Sequence, residues 1–118
     1  MVFIPEQPIP LQPFIEKGRT MVPIRFIDEE FGIKYEWDNS TKQIRFTDQN
    51  KVIEMIMKSN TAKVNGQEKQ TDVPAFIRNG RTWIPIRFLM ESFGAKVTWD
   101  PVYYNVTIVY EIPEDRYS

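Results

Sequence analysis

Apolar residues recur at helical spacing in two short stretches of the chain. In each stretch, three of them stand at positions i, i+3 and i+7, which lie on one face of an α-helix. These residues are Ile24, Ile27 and Phe31 in the first stretch, and Ile86, Leu89 and Phe93 in the second. A proline, Pro23 or Pro85, precedes each stretch and suits the first turn of a helix. A glycine, Gly32 or Gly94, follows it and suits the position just after the last turn. The pattern predicts two short helices.

Polar and apolar residues alternate after each predicted helix, which is typical of a β-strand. The apolar positions are Ile33, Tyr35 and Trp37 in the first stretch, and Ala95, Val97 and Trp99 in the second. Turn residues and a second alternating segment follow, so each stretch closes with a hairpin. Before each helix, Gly18 or Gly80 stands in a tight turn between two short strands. We expect Trp37 and Trp99 to be buried, because a large ring on an apolar face is most stable in the core.

The two stretches are copies of one sequence. Residues 18–47 and 80–109 are displaced by 62 positions and are identical at 13 of 30 positions. The likeness begins a few residues earlier, so repeat 1 spans residues 14–47 and repeat 2 spans residues 76–109. Repeated units of this kind bury their apolar faces together. The fold class we predict is α+β, with two β-β-α-β-β repeats related by pseudo-two-fold symmetry.

The segment between the repeats is also predicted to be structured. Residues 51–71 contain a strand pattern and then Asn65-Gly66, the dipeptide that favours a type I′ turn. A central β-hairpin therefore joins the repeats. Four prolines between residues 2 and 13 predict an extended segment before repeat 1. Because 118 residues is the size of one domain, we expect residues 1–118 to share a single core.

The chain contains no histidine and no cysteine, which excludes most metal and nucleophile chemistry. Histidine is the usual metal ligand and general base at neutral pH, and cysteine supplies thiolate ligands and disulfides. We expect no cofactor, no metal and no catalytic residue. The formal net charge is −1, so no basic surface for nucleic acid is indicated. We expect no membrane insertion, because no stretch approaches the roughly 20 apolar residues of a membrane span.

The acidic residues have structural explanations. Glu29, Glu30 and Glu91 fall on the predicted solvent face of a helix, away from any apolar pocket that would suit a general acid. Residues 38–41, Asp-Asn-Ser-Thr, have the composition of a calcium loop, but they lack the glycine and the distal glutamate of an EF-hand. We interpret them as an Asx-turn.

An arginine occurs near the start of each predicted helix, where a positive charge opposes the helix macrodipole. Because both copies contain it, as Arg25 and Arg87, some contact must offset that cost. The first interpretation is a structural ion pair or backbone contact, with Asp38 and Asp100 as candidate partners. The alternative is that these arginines bind a ligand.

Repeat 2 has aromatic residues at three positions where repeat 1 has none. Trp83 replaces Met21, and Tyr103 and Tyr104 replace a threonine and a lysine in a turn. Exposed aromatic residues in loops are common in contact surfaces, so these three are the candidate contacts for a partner. The alternative is that their rings pack between the two repeats.

The shared residues form an extended motif. Gly-Arg-Thr, then Pro-Ile-Arg-Phe, Phe-Gly and Trp-Asp occur in this order in residues 18–38 and again in residues 80–100. From Phe14 to Val109, the chain closely resembles the copper amine oxidase N-terminal-like domain, also called the stalk domain. The positions of the motif that we expect to be structural are Gly18, Pro23, Arg25, Gly32, Trp37, Asp38, Gly80, Pro85, Arg87, Gly94, Trp99 and Asp100.

The resemblance implies a role in attachment. Domains of this family are similar to the membrane-distal stalk of some bacterial amine oxidases, whose copper and quinone chemistry belongs to another domain. They occur in secreted or surface proteins of Gram-positive bacteria. The resemblance therefore implies a non-enzymatic stalk or interaction module with a protein or cell-wall partner.

The cellular location that we expect depends on whether the chain is a surface module or a stand-alone protein. The start of the sequence does not resemble an export signal, so an extracellular or cell-surface location requires a signal that was trimmed. The alternative is a stand-alone structural or host-interaction protein, such as a phage virion component, in the cytoplasm or the virion. Either form could be a homo-oligomer.

Overall fold

A computed structural model describes residues 2–3, 14–16, 19–100, 102 and 105–111. For residues 2–3, 14–16, 99–100 and 105–106 it describes the backbone alone. The predictions for Gly18, Tyr103 and Tyr104 therefore lie outside the described residues. The same is true of the predictions for the side chains of Trp99 and Asp100.

The described residues form an α+β fold with antiparallel sheets and two helices, in agreement with the predicted fold class. The helices are α1 (Ile24–Phe31) and α2 (Ile86–Ser92). The strands are β1 (Val2–Phe3), β2 (Phe14–Glu16), β3 (Arg19–Pro23), β4 (Lys34–Asp38), β5 (Gln43–Asp48), β6 (Lys51–Ile56), β7 (Thr61–Val64), β8 (Gln67–Gln70), β9 (Phe76–Arg78), β10 (Arg81–Pro85), β11 (Lys96–Asp100) and β12 (Asn105–Glu111).

The strands form three sheets. A four-stranded sheet in the order β2-β3-β10-β9 contains strands from both repeats. A five-stranded sheet in the order β4-β5-β6-β7-β8 joins the first hairpin to the segment between the repeats, and a three-stranded sheet in the order β1-β12-β11 contains the second hairpin. The predicted hairpin after residue 60 is confirmed as β7–β8. Its turn holds Asn65 and Gly66 at φ 52° and 82°.

The prolines and glycines bound the helices. Pro23 and Pro85 stand one position earlier than expected, as the last strand residue and N-cap, because their ψ angles of 145° and 104° are extended. Gly32 ends α1 in the left-handed region at φ 69°, and its N–H donates to the Asp28 carbonyl at 2.8 Å. Gly94 follows α2 at φ 95°. Both glycines adopt the positive φ expected after a helix.

The central strands β3 and β10 come from different repeats and pair antiparallel. Val22 lies opposite Ile84, and these two residues occupy equivalent positions in the two copies. Each helix therefore contacts the central strand of the other repeat. One apolar cluster contains residues of both helices and of all three sheets, so the described parts of both repeats contribute to one core.

A buried polar contact joins the ends of β5 and β12. Asp48 and Tyr110 are 4% and 2% exposed, and the Tyr110 hydroxyl donates to the Asp48 carboxylate. Gln49 Nε2 donates to the same carboxylate at 3.2 Å and to the Glu111 carbonyl at 2.8 Å. Burial raises the pKa of Tyr110 above its usual value of 10.0, because a phenolate loses its hydration there.

Trp37 is 41% exposed, so the prediction that it is buried is wrong. β4 is an edge strand of the five-stranded sheet, and no described strand covers the outer side of the ring. Burial falls along this face of the chain, from the fully buried Ile33 through the half-buried Tyr35 to Trp37. The alternation therefore predicts which residues share a face, but not how far the core extends beneath them.

Candidate functional site

Two surface grooves lie where the helices begin. The α1 groove has a volume of about 430 Å³ and is lined by Pro23, Ile24, Arg25, Glu29, Gly80, Arg81 and Thr82. The α2 groove has a volume of about 190 Å³ and is lined by Arg19, Gln70, Thr71, Asp72, Pro85, Arg87, Phe88 and Glu91.

The two grooves are built from equivalent residues. Each contains a proline, an arginine and a glutamate from one helix and its approach, together with an arginine from the central strand of the other repeat. In this order the sets are Pro23, Arg25, Glu29 and Arg81 for the α1 groove, and Pro85, Arg87, Glu91 and Arg19 for the α2 groove. The antiparallel pairing of β3 with β10 explains this exchange, because it places the start of each helix beside the strand of the other copy.

In the α2 groove, a carboxylate from outside the repeats engages the strand arginine. Arg19 Nε donates to Asp72 Oδ2 at 3.0 Å, and the Nη2 group donates to the same oxygen. Asn60 holds the segment in place, because its Nδ2 group donates to the carbonyls of Thr71 at 2.7 Å and of Asp72 at 3.1 Å. The α2 groove is therefore lined by two arginines and two carboxylates.

In the α1 groove, the strand arginine has no such contact. The Arg81 side chain is exposed and makes no ion pair or hydrogen bond within the part of the chain that the structure describes. Position 10, which is equivalent to Asp72, is a proline in the sequence. The described residues that line the groove include two arginines and one carboxylate, so among them one positive charge is uncompensated.

The helix arginines form the structural contacts expected of them, but with other partners. Arg25 Nε lies 3.3 Å from Glu29 Oε1, one turn along α1. Arg87 Nη1 lies 3.4 Å from Glu91 Oε2 and donates to the Val97 carbonyl at 3.3 Å. Such i,i+4 pairs stabilise a helix by about 0.2–0.5 kcal/mol.

Asp38 is therefore not the partner predicted for Arg25. Its carboxylate accepts hydrogen bonds from the Ser40 hydroxyl at 2.6 Å and from the backbone N–H of Ser40 at 3.0 Å. These donors lower the pKa of Asp38 below its usual value. The geometry is the Asx-turn expected from the sequence, and it uses the carboxylate locally.

The ring of Trp83 is buried rather than exposed in a loop. It is 9% exposed and packs with Met21, Val73 and Phe76 on the face of the central sheet away from the main core. Its indole Nε1 donates to the Arg78 carbonyl at 3.3 Å. Because Met21 belongs to the other repeat, the structure matches the alternative interpretation, in which this ring packs between the copies.

No acid–base site is brought together by the acidic residues of the helices. Glu29 and Glu91 are exposed and pair with arginines of their own helices. Across residues 19–100, 102 and 105–111 there is no group of three acidic residues that could hold a metal ion. Neither helix has the length and the apolar run that a membrane crossing needs.

The grooves were not predicted as sites from the sequence. Arg19 and Arg81 are identical in the two copies, and that signal could have identified them beside Arg25 and Arg87. Asp72 had no such signal, because it lies outside both repeats and contacts an arginine 53 positions away.

The comparisons with known proteins agree with the resemblance of the motifs. The family model of the copper amine oxidase N-terminal domain matches residues 4–108. A search of curated proteins gave no match. The chain does not fit a copper centre, because it contains neither the imidazole nor the thiolate ligands that copper prefers.

Proposed function

The chain belongs to the copper amine oxidase N-terminal domain family, and from that membership we propose that it is an attachment or protein-interaction module of a bacterial surface or secreted system. The N-terminal domain of copper amine oxidases is non-catalytic. In this proposal the chain acts outside the cell and holds a protein or cell-wall partner against its surface. It needs no cofactor.

The observation that carries the proposal is the α1 groove. Its exposed Arg81 carries a positive charge that no described residue compensates, in a depression of about 430 Å³. Partly open sites of this kind suit recognition of an extended partner rather than enclosure of a small substrate.

A symmetric scaffold would hold that groove rigidly. We propose that the two β-β-α-β-β repeats are related by a pseudo-two-fold axis within a single domain, residues 1–118. Three contacts between equivalent positions support this arrangement: Val22 with Ile84, Asp48 with Tyr110, and Gln49 with Glu111.

The test measures binding and mass together. Light scattering at several concentrations gives the mass of the purified chain, and co-sedimentation with insoluble cell wall measures attachment. We expect saturable co-sedimentation that weakens as salt rises, because the groove charges are solvent-exposed.

A defined oligomer that ignores both cell wall and the surface proteins extracted with it would contradict the proposal. That result would favour a stand-alone structural protein of a virion or another assembly.

A further inference from the structure

The structure contains an internal example of what the α1 groove could hold. In the equivalent α2 groove, the strand arginine Arg19 is bound by the carboxylate of Asp72. The α1 groove presents its own strand arginine, Arg81, without a carboxylate from the described residues. Its volume is more than twice as large, about 430 Å³ against 190 Å³.

We propose that the α1 groove binds an acidic peptide segment of the partner, whose Asp or Glu carboxylate pairs with Arg81 as Asp72 pairs with Arg19. This inference rests on the proposed function, because it names the chemistry of the partner for the same groove. In the Arg19–Asp72 pair, two guanidinium N–H groups donate to one carboxylate oxygen, and such charge-assisted hydrogen bonds are stronger than neutral ones.

The shape of the bound segment follows from the α2 groove. There Gln70, the last residue of β8, lines the groove together with Thr71 and Asp72, which lie between β8 and β9. The Thr71 hydroxyl donates to the Val73 carbonyl at 2.9 Å, and Val73 itself is buried against Met21 and Trp83. The carboxylate is thus followed by an apolar residue, and the partner segment should have the same order.

The charged residues that line the α1 groove favour an acidic ligand over a basic one. Glu29 is already paired with Arg25 at 3.3 Å, so the charge of Arg81 has no counter-charge among the described residues of the groove. A second carboxylate would give the α1 groove the balance of two arginines and two carboxylates that the α2 groove has. A basic segment would face two arginines and one occupied glutamate.

The probe is a synthetic, fluorescently labelled peptide that copies residues 68–75 of this chain, Glu-Lys-Gln-Thr-Asp-Val-Pro-Ala. Its affinity for the full chain is measured by anisotropy at low salt. The matched peptide carries asparagine in place of the aspartate. The variants are Arg81→Gln and the control Arg45→Gln, which removes an exposed arginine on the five-stranded sheet, away from both grooves.

We expect the peptide to bind saturably. The affinity should weaken about fivefold in Arg81→Gln and with the asparagine peptide, because each change removes one exposed ion pair. The affinity of Arg45→Gln should be unchanged. No saturable binding, or equal binding by Arg81→Gln, would overturn the inference. If the chain sediments with cell wall and Arg81→Gln sediments equally well, the attachment function stands and this inference fails. If the peptide binds but no partner surface does, only the proposed function fails.

Discussion

The α1 and α2 grooves share four equivalent residues, a proline, two arginines and a glutamate, yet among the described residues only the α2 groove holds a carboxylate against its strand arginine. Asp72 makes the difference, and it belongs to neither repeat. A duplication thus supplies two equivalent grooves, and the segment that is not duplicated fills one of them. Equivalent positions in the two copies therefore have different charged neighbours.

The β4–β5 and β11–β12 hairpins also differ, in the number of strands that join them. The β4–β5 hairpin continues through β6, β7 and β8 into a five-stranded sheet, whereas β11–β12 gains only the short strand β1 among the described residues. The outer face of the larger sheet has a row of alternating charge. It consists of Glu36, Arg45, Glu54, Lys63 and Glu68, each opposite the next. Such a row is a solvated face rather than a second apolar interface.

The largest loss of stability is expected where the central strands β3 and β10 of the two copies meet. Trp83→Ala removes a buried ring that packs against Met21 of the other repeat. We expect the free energy of unfolding to fall by about 3–5 kcal/mol, as is usual for truncation of a buried aromatic residue. Denaturant titration measures the loss.

The control for Trp83 is the other described tryptophan. Trp37→Ala should cost clearly less, because its ring is 41% exposed at a sheet edge. Equal losses in the two variants would contradict the assignment of Trp83, rather than Trp37, to the contact between the copies.

A smaller effect is expected at the second contact between equivalent positions. Tyr110→Phe removes the hydroxyl that donates to the buried Asp48 carboxylate. Weakening the hydrogen bonding of a buried polar group costs about 1–3 kcal/mol, and chemical denaturation at pH 7 would show it. A loss below about 0.3 kcal/mol would contradict a structural role for this pair.

Alkaline pH tests the same contact. The folded-state pKa of Tyr110 is raised above its usual value of 10.0, so the folded state favours the protonated phenol more than the unfolded state does. The contribution of the protonated Tyr110 phenol to the free energy of unfolding is full below pH 10, and it is lost as the pH rises through the folded-state pKa. The free energy of unfolding should therefore fall more steeply above pH 10 in the wild type than in Tyr110→Phe.

The helices and the hairpin turn could be predicted from the sequence because each depends on residues that are close along the chain. The helical spacing of Ile27 and Phe31 and the turn residues Asn65 and Gly66 need no information from elsewhere in the chain. The duplication adds the fold class, since two copies with unsatisfied apolar faces must share a core.

Strand positions within a sheet and contacts between distant residues could not be predicted from the sequence. Trp37 is exposed because of the place of β4 at a sheet edge. The occupancy of the α2 groove depends on a contact between residues 53 positions apart. No periodicity reports such contacts, although the identity of Arg19 and Arg81 in the two copies was a signal that could have identified the grooves.

The most direct test of unequal occupancy follows the two strand arginines by NMR. The Nε–Hε resonances of Arg81 and Arg19 are recorded while the peptide of residues 68–75 is added to the full chain. The account predicts that the Arg81 resonance shifts to saturation while that of Arg19, held by Asp72, stays in place. Equal shifts of both, or a shift of Arg19 alone, would contradict the claim that only the α1 groove is free to bind.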